Sequence, residues 1–339
     1  MSEGFTPRAV PAPRYGWGRP AATSRKVIAF GGGHGLAANL RALRHLTSQL
    51  TAVVTVADNG GSSGRLREEM PILPPGDLRM ALSALCEDSE WGTTWRDVVQ
   101  HRFSSGGPMD GHALGNLLIV ALWQLLDDPI AALDHVGALL GARGRVLPMA
   151  LEPLDIEAEV QGADGSVRLV RGQAEVATAR GIVRGVRLLP ERPQIPAEVL
   201  EAIREADWLI IGPGSWYTSV LPHLLIPELR EAIATSKARR CLTMNLAPGF
   251  DETEGMTSVD LLRVVAEVAP DVRFDALIAD PTSIDDGGIQ MTSVARELGI
   301  HTLLRQVSVG TGDPVHDPLR LAAAYRDVFD GVFADVRKD

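Results

Sequence analysis

Short, nearly continuous apolar runs alternate along this chain with segments whose apolar residues recur every three or four positions. Val27–Phe30 and Ala52–Ala57 show the first pattern, expected of parallel strands covered on both faces. Between them Leu36, Leu40, Leu43 and Leu46 recur at helical spacing, with Arg41 and Arg44 on other faces. Strand, loop, helix and strand within about 30 residues make a βαβ unit, the opening of a doubly wound sheet. Further helices are predicted over 78–86, 112–126 and 129–141, the last with Pro129 at its start. The middle of the chain changes period. Ile156, Ala158 and Val160 alternate with polar residues, Asp164-Gly165 supplies a turn and the alternation resumes, which predicts a β-hairpin.

The α/β rhythm then returns. Helices Pro196–Ala206, Glu228–Lys237, Ser258–Val268 and Gln290–Leu298 alternate with strands Trp208–Ile211, Cys241–Asn245, Phe274–Ala279 and Thr302–Arg305. Asp317-Pro318 opens a last helix with an N-cap and a proline at the first position. The predicted class is α/β: a Rossmann-like, doubly wound, mostly parallel sheet with a helical segment and a hairpin inserted at about 152–190. Residues 26–330 read as one domain, between a Pro/Arg-containing tail at 1–25 and a C-terminal end at 331–339.

Charge narrows the partners. The net charge is −10, but residues 1–26 carry +4, which leaves −14 on the rest. A body that acidic is poorly suited to neutralising nucleic-acid phosphates over a wide surface, so any anionic ligand must be held by local donors in a cleft. The longest apolar stretch, ALGNLLIVALWQLL at 113–126, is shorter than the roughly 18–20 residues that cross a bilayer. The first 25 residues lack the apolar core of a signal peptide and read as a disordered tail. Cys86 and Cys241 each sit in a hydrophobic pattern and read as buried thiols of a reducing compartment. The expectation is a cytoplasmic protein with no membrane span and no nucleic-acid partner.

Ligands of open α/β sheets bind beyond the carboxyl ends of the strands, where strand order reverses, so the loops after each strand carry the candidate chemistry. The first is Gly31-Gly32-Gly33-His34-Gly35-Leu36. A dinucleotide fingerprint needs glycine at position 36, where the chain has Leu36. The loop still lets backbone N–H groups and a helix N-terminus approach an anion; its bland reading is a tight turn needing positive φ. The second follows Ala57: Asp58, Asn59, Gly60, Gly61, Ser62, Ser63, Gly64 and Arg65, with Arg65 at the start of a helix. Small residues, hydroxyls and a guanidinium together suit phosphate oxygens, against the alternative of a solvated turn with a serine cap.

In PPGDLRMAL, Asp77 reads as the cap of a helix starting at Leu78, and Arg79 points either to solvent or to the cleft. His112 and Asn116 are i and i+4 on an otherwise apolar helix, so they form either a core hydrogen bond or a site-facing pair. No further ligand is spaced to make a zinc site with them. After Trp208–Ile211 come Gly212, Pro213, Gly214, Ser215, Tyr217, Thr218 and Ser219, again backbone donors and hydroxyls. Asn245 begins a sixth loop, NLAPGFDETEG.

GGGHGL, VVTVADNGGSSGRLR, LPPGDLRMAL, GHALGNLL and IGPGSWYTSVLP, with the spacing among them, resemble the gluconeogenesis-factor (YvcK-like) family. That family lies within the superfamily of CofD-like 2-phospholactate transferases, and the resemblance covers roughly residues 26–330. It implies a Rossmann-like fold and UDP-N-acetylglucosamine as ligand, with a role in gluconeogenic growth, cell shape and wall synthesis and no established catalytic turnover. It also implies that Gly31–Leu36, Asp58–Arg65, His112, Asn116, Gly212–Thr218 and Asn245 line the cleft. The transferase branch implies instead a nucleoside diphosphate donor and magnesium. Three positions depart from the family pattern: Asn59 replaces a second aspartate, His34 a threonine, and the loop after Asn245 is longer. An amide cannot supply the second charge a magnesium–diphosphate site favours.

Three readings follow. The preferred one is a nucleotide-sugar-binding regulator with no required cofactor, in which the glycine-rich loops and Arg65 hold the diphosphate. The second is a transferase relying on Arg65 and backbone N–H groups for charge stabilisation. The third, an NAD-dependent dehydrogenase, is disfavoured by Leu36. A homodimer and a downstream protein partner are expected from the resemblance alone.

Overall fold

Strand β1 (Lys26–Gly31) is an interior strand of a seven-stranded parallel sheet, and Val27 to Phe30 are buried in it. The structure, a computed structural model, describes residues 25–247, 251–310 and 313–332. The tail expected at 1–25 falls outside them except for Arg25, as do residues 333–339. From β1 the chain enters α1 (Gly33–Leu43) and returns as β2 (Gln49–Val54), paired in parallel from Lys26↔Gln49 to Gly31↔Val54. The predicted strand continued to Ala57. Thr55–Ala57 are fully buried, but the ladder ends at Val54; the apolar run continues past it as buried chain leading to the crevice.

A helical segment follows: α2 (Gly61–Glu69), α3 (Pro75–Leu85), α4 (Glu90–Gln100), α5 (Leu114–Leu126) and α6 (Pro129–Leu140). It leads to β3 (Arg145–Pro148) beside β2. Next comes a separate antiparallel sheet of β4 (Asp155–Gln161), β5 (Val167–Arg171) and β6 (Ile182–Leu189), ordered β5-β4-β6. The predicted hairpin is its β4–β5 half. The short α7 (Gln173–Ala177) leads to the third strand.

After α8 (Ala197–Glu205), strand β7 (Trp208–Ile211) pairs with β1 on the side away from β2. A π-helical turn (Trp216–Val220), α9 (Pro222–Leu225) and α10 (Pro227–Thr235) lead to β8 (Arg239–Thr243). Then α11 (Ser258–Val268), β9 (Ala276–Ala279), α12 (Ile289–Glu297), β10 (His301–Leu304) and α13 (Pro318–Phe329) complete the order β10-β9-β8-β7-β1-β2-β3. Strand β8 starts two residues before its apolar run. Arg240 is tolerated there because its guanidinium donates to the Ile233, Ala234 and Ser236 carbonyls at 2.7–2.9 Å, capping the carboxyl end of α10. Strand order reverses between β1 and β7, which makes their carboxyl ends the switch point.

Candidate ligand-binding crevice

A cavity of about 410 Å³ opens at that switch point. Its centre is the turn between β1 and α1, where Gly32, Gly33, His34 and Gly35 line the wall. Gly31 and Leu36 are buried behind it. The facing loop supplies Pro213, Gly214 and Ser215. The two loops touch, and a Cβ on Gly35 would stand 2.4 Å from the Pro213 carbonyl oxygen. Glycine at 35 is therefore required by loop-to-loop contact as much as by any ligand. Two asparagines hold the facing loop. Asn39 donates to the Gly212 carbonyl at 3.0 Å, and Asn245 accepts the Gly214 N–H at 2.9 Å while donating to the Gly214 carbonyl at 2.8 Å. Asn245 also lines the cavity.

The second glycine-rich segment does something different from the first. Only Asp58 of Asp58–Arg65 lines the cavity. Helix α2 begins at Gly61, not at Arg65. Ser62 is buried and takes the Asn116 amide and His112 Nδ1 at 3.0 Å each. Ser63 accepts the Gly76 N–H at 3.0 Å, joining α2 to α3. Arg65 donates to the Pro108 and Asp110 carbonyls at 3.2 and 2.7 Å, so the 108–110 loop occupies its guanidinium. His112 precedes α5, so it and Asn116 share Ser62 rather than a helix face. Asn59 faces the inserted sheet, and Gly60 and Gly64 close the turn into α2 through a 2.9 Å hydrogen bond.

Asp77 is not a cap. Helix α3 starts at Pro75, Asp77 lies in its first turn, and its side chain meets the Gly33 N–H in the crevice. Enclosure by protein and the neighbouring Asp58 push its pKa up to about 7, against the Gly33 N–H and Arg79. Arg79 is buried, pairs with the Gln100 side chain and is pushed down to about 10 by that burial. Tyr217 and Thr218 are interior to the π-helical turn. The Tyr217 N–H donates at 2.9 Å to Glu252, a buried carboxyl raised to about 7 by desolvation. Ser219, the next residue of the same turn, lines the cavity instead.

The crevice also takes residues outside every glycine-rich stretch. Gln173 arrives from the inserted sheet, and Pro314 and His316 from the chain after β10. Asp280, at the end of β9, accepts the Val307 and Ser308 N–H groups at 2.8 and 2.9 Å and so fixes that chain. The one signal in the sequence was His316 standing directly before the Asp317-Pro318 helix start. Residues 248–250 of the loop after Asn245 lie outside the described residues.

The profile of 2-phospho-L-lactate transferase CofD matches residues 27–301, which span the sheet from β1 into β10. The chain belongs to the CofD family. Within it, a Mycobacterium tuberculosis protein provisionally named gluconeogenesis factor is 46% identical over 315 residues, 91% of this chain and 90% of that one. The Bacillus subtilis gluconeogenesis factor is 38% identical over 261 residues, 77% and 80% of the two chains. A crystal structure of a UPF0052-family protein from Bacillus halodurans shares the fold with a TM-score of 0.80 at 34% identity, covering 90% of this chain and 99% of that one. This CofD-family chain thus sits among gluconeogenesis factors. Among its described residues no helix is long and apolar enough to cross a membrane.

Proposed function

We propose that this protein binds a nucleotide sugar, UDP-N-acetylglucosamine, in the switch-point crevice and acts as a regulator of gluconeogenic growth, cell shape and wall synthesis. The observation that carries this reading is the composition of the crevice. Backbone at the amino end of α1 faces a cavity whose described lining contains no lysine or arginine. Helix N-termini hold phosphate through N–H groups and the helix dipole, and the carboxylates of the described lining are Asp58 and Asp77. Arg65, expected to hold the phosphates in the regulator and the transferase readings alike, is engaged by carbonyls elsewhere, which leaves the diphosphate to backbone N–H groups; a transferring phosphoryl-type group calls in addition for cationic clamps.

One observation favours a transferase of phospholactate type: the second carboxylate beside Asp58 comes from Asp77 rather than from position 59. Magnesium is held by one or two carboxylates together with substrate phosphates, and Asp58 with Asp77 fits that pattern. When bound there, the ion would supply charge neutralisation. Calorimetric titration with UDP-N-acetylglucosamine, with GDP plus magnesium and with NAD separates the readings. Micromolar binding of the nucleotide sugar without magnesium supports the regulator. Magnesium-dependent GDP binding with no response to the nucleotide sugar overturns it.

A further inference from the structure

The insert reaches the crevice through a single described residue, Gln173, which shares the lining with Asp58, Asp77 and the Gly33–His34 turn. Its helix, α7, is tied down next to it. Asn59 Oδ1 accepts the Ala174 N–H at 2.9 Å, and Asn59 Nδ2 donates to Glu175 Oε2 at 2.8 Å. Gly172 keeps the space for this pair: at φ +106° it carries no side chain, and a Cβ would stand 2.0 Å from Glu175 Oε2 and 2.5 Å from Asn59 Nδ2. Arg67 adds a second tie, donating to the Asp58 carbonyl at 3.1 Å and to Asp155, the first residue of β4, at 3.0 Å. The insert is therefore tied to the segment that carries Asp58 at two points, Asn59 and Arg67. Position 59 must both accept and donate, which an amide does and a carboxylate does not.

We propose that Gln173 determines specificity by reading a neutral, hydroxyl- or amide-bearing group attached to the ligand's phosphates, and that Asn59 and Glu175 form the latch that positions it. The assignment of Gln173 rests on the nucleotide-sugar reading above. Its carboxamide offers donor and acceptor without charge, which matches a hydroxyl or an amide rather than a charged group. A sugar suits that corner; a carboxylate-bearing group does not.

Two measurements test this on the full chain. In calorimetric titration, Gln173→Ala should weaken UDP-N-acetylglucosamine about tenfold, the worth of one hydrogen bond, and UDP by less than about twofold. Asn59→Asp should shift the preference in the same direction, and Asn59→Asp/Glu175→Gln, which exchanges donor for acceptor, should restore it. Independently of any ligand, hydrogen exchange at the Ala174 amide should speed up in Asn59→Asp and slow again in the double variant. Equal losses for UDP and the nucleotide sugar in Gln173→Ala, or no loss, would overturn the specificity role. Unchanged exchange in Asn59→Asp would overturn the latch. A wild-type chain that binds neither nucleotide removes the nucleotide-sugar reading and the Gln173 assignment with it, and the latch is then decided by exchange alone.

Discussion

Asp77 gives the crevice a pH dependence whose sign can be worked out. Its carboxyl is raised to about 7 from an ordinary 3.8, so the folded chain holds this proton more tightly than the unfolded one. The associated stability is fully present below the ordinary value and is lost as pH rises through about 7. A diphosphate placed beside Asp77 favours the protonated form for the same electrostatic reason. Without magnesium, affinity for UDP-N-acetylglucosamine should therefore fall by up to about tenfold between pH 6 and pH 8, with proton uptake on binding. Asp77→Asn should flatten that profile in titrations at pH 6, 7 and 8. A flat profile in the wild type would mean that the phosphates sit away from Asp77. Gly35 makes the complementary steric point. Gly35→Ala forces a methyl into the Pro213 carbonyl, and overpacking of this kind costs about 1–3 kcal/mol. Lower stability in urea unfolding, together with weakened nucleotide binding, is the expected result.

Among the elements, α2 is the one whose role differs most from its sequence signature. Ser62 Oγ bonds residues 50 and 54 positions away in the chain, and no local pattern announces such partners. Ser62→Ala would leave the Asn116 amide and one His112 nitrogen without this partner, at a cost of about 1–3 kcal/mol. A lower midpoint of urea unfolding with little change in nucleotide affinity would identify the serine as a lock between α2 and α5. The same contrast explains what was legible. Trp208–Ile211 and Ser258–Val268 form at the predicted residues because apolar period records burial directly. Apolar period does not record where a polar side chain finds its partner. Arg65, Asn59 and Asp77 were each read from their chemistry alone, yet their neighbours come from the 108–110 loop, α7 and Gly33. Gln173 was invisible for the related reason that a lone glutamine between a glycine and an alanine carries no pattern.

At the scale of the whole molecule, the sheet order decides where a ligand can sit. With β1 flanked by β2 and β7, the only reversal among the described parallel strands is between β1 and β7, and the cavity lies at that point. The Ser62–His112–Asn116 cluster lies outside the cavity lining. Hydrogen exchange with and without UDP-N-acetylglucosamine should reveal this separation. Protection is expected in peptides covering Gly31–Leu36, Gly212–Ser219 and Gln173–Ala177, with little change over residues 101–116. Arg65→Ala, which disturbs the 108–110 loop, should then lower affinity by less than about threefold. Protection centred on 101–116, with a large loss in Arg65→Ala, would move the phosphates to the second glycine-rich segment. The Asp58–Asp77 corner would then lose its claim to the ligand. The two outcomes are exclusive, because the Pro108 and Asp110 carbonyls hold Arg65 away from the switch point and only their release would free the guanidinium for an anion.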